Sequence, residues 1–134
     1  MKNFVKLCVV FLSVFLLAGC NSDERALKKE VEAANNRCPM QVDEFTTVTS
    51  VEFINNDIVY TYQLSDSDLS ASFMDKSVFS DKDFKNNILN GLRARNNADV
   101  QKFGDLCKKT KSNIVYRYKL GNRQREITIG YDEL

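Results

Sequence analysis

Apolar side chains recur along the chain with two different periods, which separate predicted helices from predicted strands. From Arg25 to about Asn36 they recur every three or four residues, the spacing of one helix face. That face consists of Leu27, Val31 and Ala34. Cys38-Pro39 follows, and the residue before a proline avoids helical backbone angles. We therefore predict a helix that ends near Asn36.

Residues 38–74 show the strand period. The segment 46–54 is rich in β-branched and aromatic residues, and Asn55-Asn56-Asp57 provides a turn because Asn and Asp tolerate left-handed angles. Residues 58–64 then alternate strictly, with Ile58, Tyr60, Tyr62 and Leu64 on one face. Together they predict a β-hairpin. Apolar alternation over 69–74 predicts a third strand.

Helical spacing returns after residue 80. Ser80-Asp81-Lys82-Asp83 resembles a capping box, which marks a helix start. The apolar stripe that follows is Phe84, Ile88, Leu89 and Leu92. Asn96-Asn97 interrupts it, and a second stripe then runs to about Lys109. That second stripe is Val100, Phe103, Leu106 and Cys107. Two helices are predicted here.

The last part of the chain predicts a second hairpin. Residues 114–120 alternate, Gly121-Asn122 suits a two-residue turn, and alternation resumes over 127–131. The strand Ile58–Leu64 and the strand Ile114–Leu120 carry Ile, Val, Tyr, Tyr and Leu at the same places. This similarity fits a duplicated half-domain, and it also fits convergence, because any half-buried strand favours these residues.

The order of elements predicts an α+β domain over residues 26–134. We expect a small antiparallel sheet of two hairpins, with one further strand and with helices packed on one face. A parallel sheet is not expected, because the hairpin turns are too short for crossover connections. A chain of this size suits one small domain.

The first nineteen residues differ from all that follows. Met1–Lys6 is a basic leader, and residues 7–17 are apolar apart from Ser13. A basic leader, an apolar core and small residues in this order describe a secretory signal peptide over 1–19. The apolar core falls short of the roughly 20 residues that a spanning helix needs.

Leu17-Ala18-Gly19-Cys20 resembles the lipobox of bacterial lipoproteins. The resemblance implies cleavage before Cys20, acyl chains such as palmitate on its sulfur and on the new amino group, and a lipidated tether over 20–25. The alternative is an ordinary secretory signal that ends near a cysteine. Asn21, where an Asp would favour the inner membrane, favours the outer membrane with the domain in the periplasm. Asp23-Glu24 also resembles a cell-surface export tag, and that location stays open.

Two cysteines, Cys38 and Cys107, remain in the exported chain. Disulfides persist outside the cytoplasm, so we predict a bridge between them. It would close a loop of about 70 residues and contribute roughly 4 kcal/mol in the chain-entropy model. A redox pair or a metal site is the alternative. The chain has no CxxC and 0 histidines, so no metal is expected.

Charge is balanced overall and uneven along the chain. The 19 basic and 18 acidic residues argue against nucleic-acid binding. Residues 41–83 are acidic, whereas residues 106–125 carry only basic charges. The latter predict a basic contact face for an envelope protein, an anionic lipid or lipopolysaccharide: Lys108, Lys109, Lys111, Arg117, Lys119, Arg123 and Arg125. Alternatively, the acidic residues of 41–83 and the basic residues of 106–125 neutralise each other across neighbouring strands.

A wider resemblance is carried by two stretches. The first is Pro39, Val42-Asp43 and Thr46-Thr47, followed by the Val-Tyr-Thr-Tyr of residues 59–62. The second is Leu106-Cys107, followed by the Val-Tyr-Arg-Tyr of residues 115–118. Both are similar to a family of uncharacterised small exported bacterial lipoproteins and envelope proteins. The resemblance implies an α+β envelope protein and no catalytic residues. In layout alone, with lipid anchor, compact domain and disulfide, the chain is also similar to the pilotins of secretins.

These observations predict a lipid-anchored, non-catalytic binding or assembly module of the bacterial envelope. Histidine, the commonest general acid–base group, is absent, and no nucleophile or phosphate-binding motif is present. We expect no cofactor beyond the covalent lipid on Cys20. The alternative is a protective inhibitor of a secreted hydrolase such as lysozyme, for which the segment 65–80 is the candidate inhibitory loop.

Overall fold

Helices and strands follow one another in the order α–β–β–β–α–α–α–β–β in the computed structural model, which describes residues 23–95 and 97–134. The predicted signal peptide and the lipid-attachment residue Cys20 lie outside the described residues. The helices are α1 (Asp23–Asn35), α2 (Asp68–Met74), α3 (Asp81–Ala94) and α4 (Ala98–Thr110). The strands are β1 (Met40–Asp43), β2 (Thr46–Ile54), β3 (Asp57–Leu64), β4 (Ile114–Leu120) and β5 (Arg123–Ile129), and a 3-10 turn (Tyr131–Glu133) follows.

The five strands form one sheet in the order β1-β2-β3-β4-β5. Neighbours are antiparallel except for the central pair β3 and β4, which is parallel. The prediction of a purely antiparallel sheet was therefore wrong. Each hairpin has a short turn as predicted, but the two hairpins are joined by the segment 65–113, whose three helices are long enough for a crossover.

The parallel pair explains the similarity between the two tyrosine-rich strands. Tyr60 lies beside Tyr116 and Tyr62 beside Tyr118, with ring centres 5.6 Å and 4.6 Å apart. Identical residues thus stack across neighbouring strands. β3 is the second strand of its hairpin and β4 is the first, so a tandem duplication of the hairpin would not align them.

The helices cover one face of the sheet and form a two-layer domain, as predicted. A single core cluster joins buried residues of all four helices to the inward side chains of β2–β5. An irregularity in the pairing of β2 between Val48 and Ser50 shifts its alternation, so that Val48 and Val51 both reach the core. Val59 is buried but lies outside this cluster.

The third strand predicted over 69–74 is instead helix α2. Ser67 caps it, because its Oγ accepts a hydrogen bond from the Ser70 backbone N–H at 3.0 Å. Ser70, Phe73 and Met74 form its buried face at helical spacing. The alternation that predicted a strand, Leu69, Ala71 and Phe73, does not describe one face, because Leu69 is 63% exposed. Ser80 caps α3, as predicted, and Asn97, which was expected only to interrupt the helical pattern, caps α4.

The predicted Cys38–Cys107 disulfide is absent, and both cysteines are free thiols. Cys107 is completely buried among the core side chains, and burial raises the pKa of its thiol to about 12. Cys38 follows α1, where its Sγ lies 3.6 Å from the Ala34 carbonyl oxygen. Each sulfur is accommodated by its own local packing without a bridge.

Candidate functional site: an anchor end and an interhelical cavity

The start of α1 packs against the turn between β2 and β3. Lys28 forms an ion pair with Glu24 at 3.1 Å, and its Nζ lies 5.6 Å from the centre of the Phe53 ring at the end of β2. Helix α1 begins three residues after Cys20. The residues around this turn therefore lie at the end of the domain on which Lys28 of α1 packs, and we call it the anchor end.

The last turn of α4 also belongs to the anchor end. The Asn56 side-chain amide donates to the carbonyl oxygens of Thr110 and Lys111 at 2.9 Å and 3.2 Å. Lys111 has a left-handed backbone with φ 54° and closes the helix. Lys108, Lys109 and Lys111 are all exposed. Three of the seven predicted basic residues thus lie together at the end of α4, next to the turn between β2 and β3.

The remaining basic residues of the predicted face lie elsewhere. Lys119 and Arg123 are exposed at the β4–β5 turn, at the opposite end of β4, a strand that spans about 20 Å. Arg117 is half-buried on the sheet face away from the helices and pairs with Glu126 at 3.2 Å. The sequence predicted one basic face, whereas the structure divides these residues between two ends and a sheet face.

Arg125 is not part of any contact face, which corrects the sequence prediction. Its side chain is 1% exposed and donates to the Phe73 and Phe79 carbonyl oxygens and to Asp81 Oδ1 at 2.8 Å. This guanidinium holds the pKa of the Asp81 carboxyl below its usual value. Arg125 therefore fastens α2 and the loop before α3 to the sheet.

A cavity of about 490 Å³ opens between α3 and α4. Helix α3 packs on β5, whereas α4 packs on α1. The two helices therefore contact different elements, and the cavity lies between them. The apolar side chains that line this interhelical cavity are Leu89, Leu92, Val100, Phe103, Ile114 and Leu134. Leu134 is placed by the preceding turn, where Glu133 accepts from the Gly130 N–H at 2.6 Å and pairs with Lys85 at 3.4 Å.

Polar groups at the interhelical cavity are mostly cationic. Arg93, Arg95 and Lys108 line it together with Asp105 and Gln101. Within residues 23–95 and 97–134, none of the three cations forms an ion pair. Lys108 was predicted from the sequence as part of a contact face, whereas Arg93 and Arg95, just before the Asn-Asn interruption, were not.

Gly104 also lines the interhelical cavity, from the middle of α4. A Cβ atom at this position would meet no heavy atom within 4 Å. Glycine in a helix interior costs about 1 kcal/mol relative to alanine. Close packing does not explain the glycine here. Its position inside an apolar helical stripe was the one signal in the sequence that could have indicated the cavity.

Glu30 is a buried acid between α1 and α4. It is 7% exposed, and burial raises the pKa of its carboxyl to about 7, with a smaller contribution from Asp99 and an opposing one from Arg37. Because its pKa is about 7, the Glu30 carboxyl gains or loses its proton near physiological pH. It lies in the helix layer and does not line the interhelical cavity.

The segment 65–80, the candidate inhibitory loop, packs on the sheet through α2 and Arg125. Its exposed apolar side chains are Leu69 and Val78, at 63% and 65%. Within the described residues, no cluster of three or more His, Cys, Asp or Glu side chains is placed to hold a metal ion. None of the described helices is long and apolar enough to cross a bilayer.

The structure thus defines a two-layer α+β domain with a mixed five-stranded sheet, a basic anchor end and a cavity between two helices. Residues 21–128 match a family described as a domain of unknown function (DUF8479), and the chain belongs to that family. No curated protein matches the chain.

A solved structure shares the fold. PA3611, a protein of Pseudomonas aeruginosa that is taken to be secreted, is similar over 86% of this chain and 98% of its own, with a TM-score of 0.57. The two sequences are 10% identical. At this identity the likeness establishes the architecture alone.

Proposed function

We propose that the protein is a lipid-anchored component of the bacterial cell envelope, whose domain acts as a non-catalytic binding or assembly module. Leu17–Cys20 supports anchoring, because the tetrapeptide resembles a lipobox directly after a signal-like segment. Hydrolysis of the Gly19–Cys20 peptide bond would free the Cys20 amino group. Lipid attached to this nitrogen and to the sulfur would then hold the protein without a spanning helix.

The observation that carries the proposal is the position of the anchor end. Acyl chains at Cys20 would hold the start of α1 within a few residues of the bilayer surface. The exposed residues Lys108, Lys109 and Lys111 would then face the lipid headgroups. A basic group near an anionic membrane surface contributes about 1 kcal/mol. Lipid attachment and surface charge would thus act on the same end of the domain.

Asn21 supports the outer membrane with the domain in the periplasm, and the cell surface and the inner membrane are the alternative locations. The fold shared with PA3611 supports a location outside the cytoplasm. A non-catalytic role is supported by the absence of histidine and by the structural use of the buried cation Arg125. The protein is proposed to bind an envelope protein or an anionic lipid.

Cys20→Ser tests the anchor in the native host. Cells are grown with an alkyne analogue of palmitate, and the purified protein is assayed for the label while membranes and soluble fractions are separated. We expect the variant to lose the label and to leave the outer-membrane fraction. Cys8→Ser, in the apolar segment of the leader, is the matched control and should keep both. Equal labelling of the Cys20→Ser variant and the unmodified chain would contradict the proposal.

A further inference from the structure

We propose that the interhelical cavity between α3 and α4 binds a single-chain amphiphile with an anionic head, of the fatty-acid class. This names the ligand of the binding module proposed above, and it rests on that proposal for the source of the amphiphile. The cavity combines an apolar lining, cations beside that lining and space left open by Gly104.

The lining suits a hydrocarbon chain. Apolar side chains contributed by α3, α4, β4 and Leu134 surround about 490 Å³, within the range of small-molecule sites. Phe103 and Ile114 are buried and form part of the core, so that the cavity reaches down to the main hydrophobic cluster. An apolar chain that enters it would leave water for a surface of leucine, valine, isoleucine and phenylalanine side chains.

The charges beside the lining favour an anionic head. Three cations line the cavity, namely Arg93, Arg95 and Lys108, whereas Asp105 is the one acid among the lining residues. Guanidinium groups bind carboxylates and phosphates through paired hydrogen bonds. A cationic amphiphile would meet three like charges, whereas a carboxylate would complement them. Chain and head are thus recognised by adjacent parts of one cavity.

Gly104 supplies an independent indication. A helix interior favours any ordinary residue over glycine, and no neighbouring atom within 4 Å would clash with a Cβ here. A side chain at this position would extend into the interhelical cavity. The glycine therefore keeps space available at a cost in helix stability, as a ligand site requires.

The test uses the full chain in nanodiscs of zwitterionic phosphatidylcholine, with empty nanodiscs as the background. The probe is 8-anilinonaphthalene-1-sulfonate, an aromatic anion that fluoresces in apolar sites. We expect it to bind and to be displaced by dodecanoate but not by dodecyltrimethylammonium. Absence of probe fluorescence above background, or equal displacement by both amphiphiles, would overturn the proposal.

Two variants locate the binding. Gly104→Leu fills the cavity and should weaken dodecanoate binding at least about tenfold, while its thermal midpoint stays equal or rises because leucine favours helices. Lys108→Gln should weaken binding about tenfold, the loss expected for one charge-assisted hydrogen bond. Its neighbour Lys109→Gln is the matched control and should bind as the unmodified chain does, because Lys109 does not line the cavity.

Binding by Gly104→Leu at the unmodified affinity would overturn the assignment to this cavity. Equal losses in the two lysine variants would overturn the role of Lys108 and point to general surface attraction. The anchor experiment on Cys20 has its own readout, so failure of the ligand proposal and failure of the anchor proposal are distinguishable.

Discussion

At the scale of single residues, Arg125 shows how a charge in a basic segment can become structural. It shares the alternation of Ile127 and Ile129 on β5, so its side chain enters the helix-facing side of the sheet. There its guanidinium lies 5.3 Å from the centre of the Phe73 ring and is bonded to two carbonyl oxygens and Asp81. The alternation of β5 was visible in the sequence, but the partners of Arg125 on the segment 73–81 were not.

Arg125→Met is expected to destabilise the protein by about 2–4 kcal/mol, because two carbonyl oxygens lose their donor and the ion pair with Asp81, whose side chain is 43% exposed, is broken. Urea unfolding followed by circular dichroism measures the change. Arg123→Gln, an exposed residue on the same strand, should cost less than about 0.5 kcal/mol. Similar losses for the two variants would show that Arg125 does not hold the α2 segment.

Glu30 gives a pH dependence of stability. Its carboxyl has a pKa of about 7 in the folded protein against 4.5 as the ordinary value. Between these two values the unfolded chain has lost the proton and the folded chain keeps it. Folding stability therefore falls as pH rises from about 4.5 to 7 and is level above that range.

Glu30→Gln removes this penalty. The variant should be more stable than the unmodified chain at pH 8, by about 1–2 kcal/mol once solvent screening is allowed for, and the gain should vanish near pH 4. Thermal melts across this pH range measure it. Glu32→Gln, an exposed neighbour on α1, is the control. A gain for Glu30→Gln that is constant with pH would contradict the raised pKa.

At the scale of elements, the local sequence patterns predicted most of the helices and strands, but they did not predict how the strands pair. Alternation located β3 and β4, and β-branched and aromatic composition located β2. The Asn55-Asn56 turn has the positive φ values expected of it, 51° and 68°. The parallel pairing of β3 and β4 depends on a crossover through three helices, which no local pattern specifies. Strand β1 has four residues and lacked a clear period. Residues 69–74 fitted both periods.

The parallel register can be tested by a double-mutant cycle on Tyr62 and Tyr118, each replaced by leucine. Their rings stack 4.6 Å apart, so we expect a coupling free energy of about 0.5–1.5 kcal/mol. Urea unfolding of the four proteins gives the value. The pair Val51 and Tyr118, on non-adjacent strands, serves as the control and should couple weakly. Equal coupling in both cycles would contradict the observed strand order.

At the scale of the whole molecule, the basic residues divide between two ends. The sequence predicted that residues 106–125 would be basic and exposed, and it could not show that β4 separates Lys111 from Lys119 by the length of a strand. The interhelical cavity was not predicted either, because Arg93 and Arg95 on one side and Lys108 on the other come from different helices.

The proposed orientation predicts unequal lysine reactivity in the anchored protein. In phosphatidylglycerol vesicles, acetylation of Lys108, Lys109 and Lys111 should be slower than that of Lys119, because headgroups cover the anchor end. Peptide mass spectrometry measures the rates. In 1 M salt, where the Debye length is about 3 Å, electrostatic protection should diminish. Faster labelling of the three anchor-end lysines than of Lys119 would reverse the orientation.

The central claim is that a lipid on Cys20 places this domain in the envelope. The direct measurement is the mass of the N-terminal peptide of the protein isolated from its native host. We predict a peptide that begins at Cys20 and carries lipid on both its sulfur and its amino nitrogen. A peptide that retains residues 1–19, or one with an unmodified Cys20, would contradict the claim.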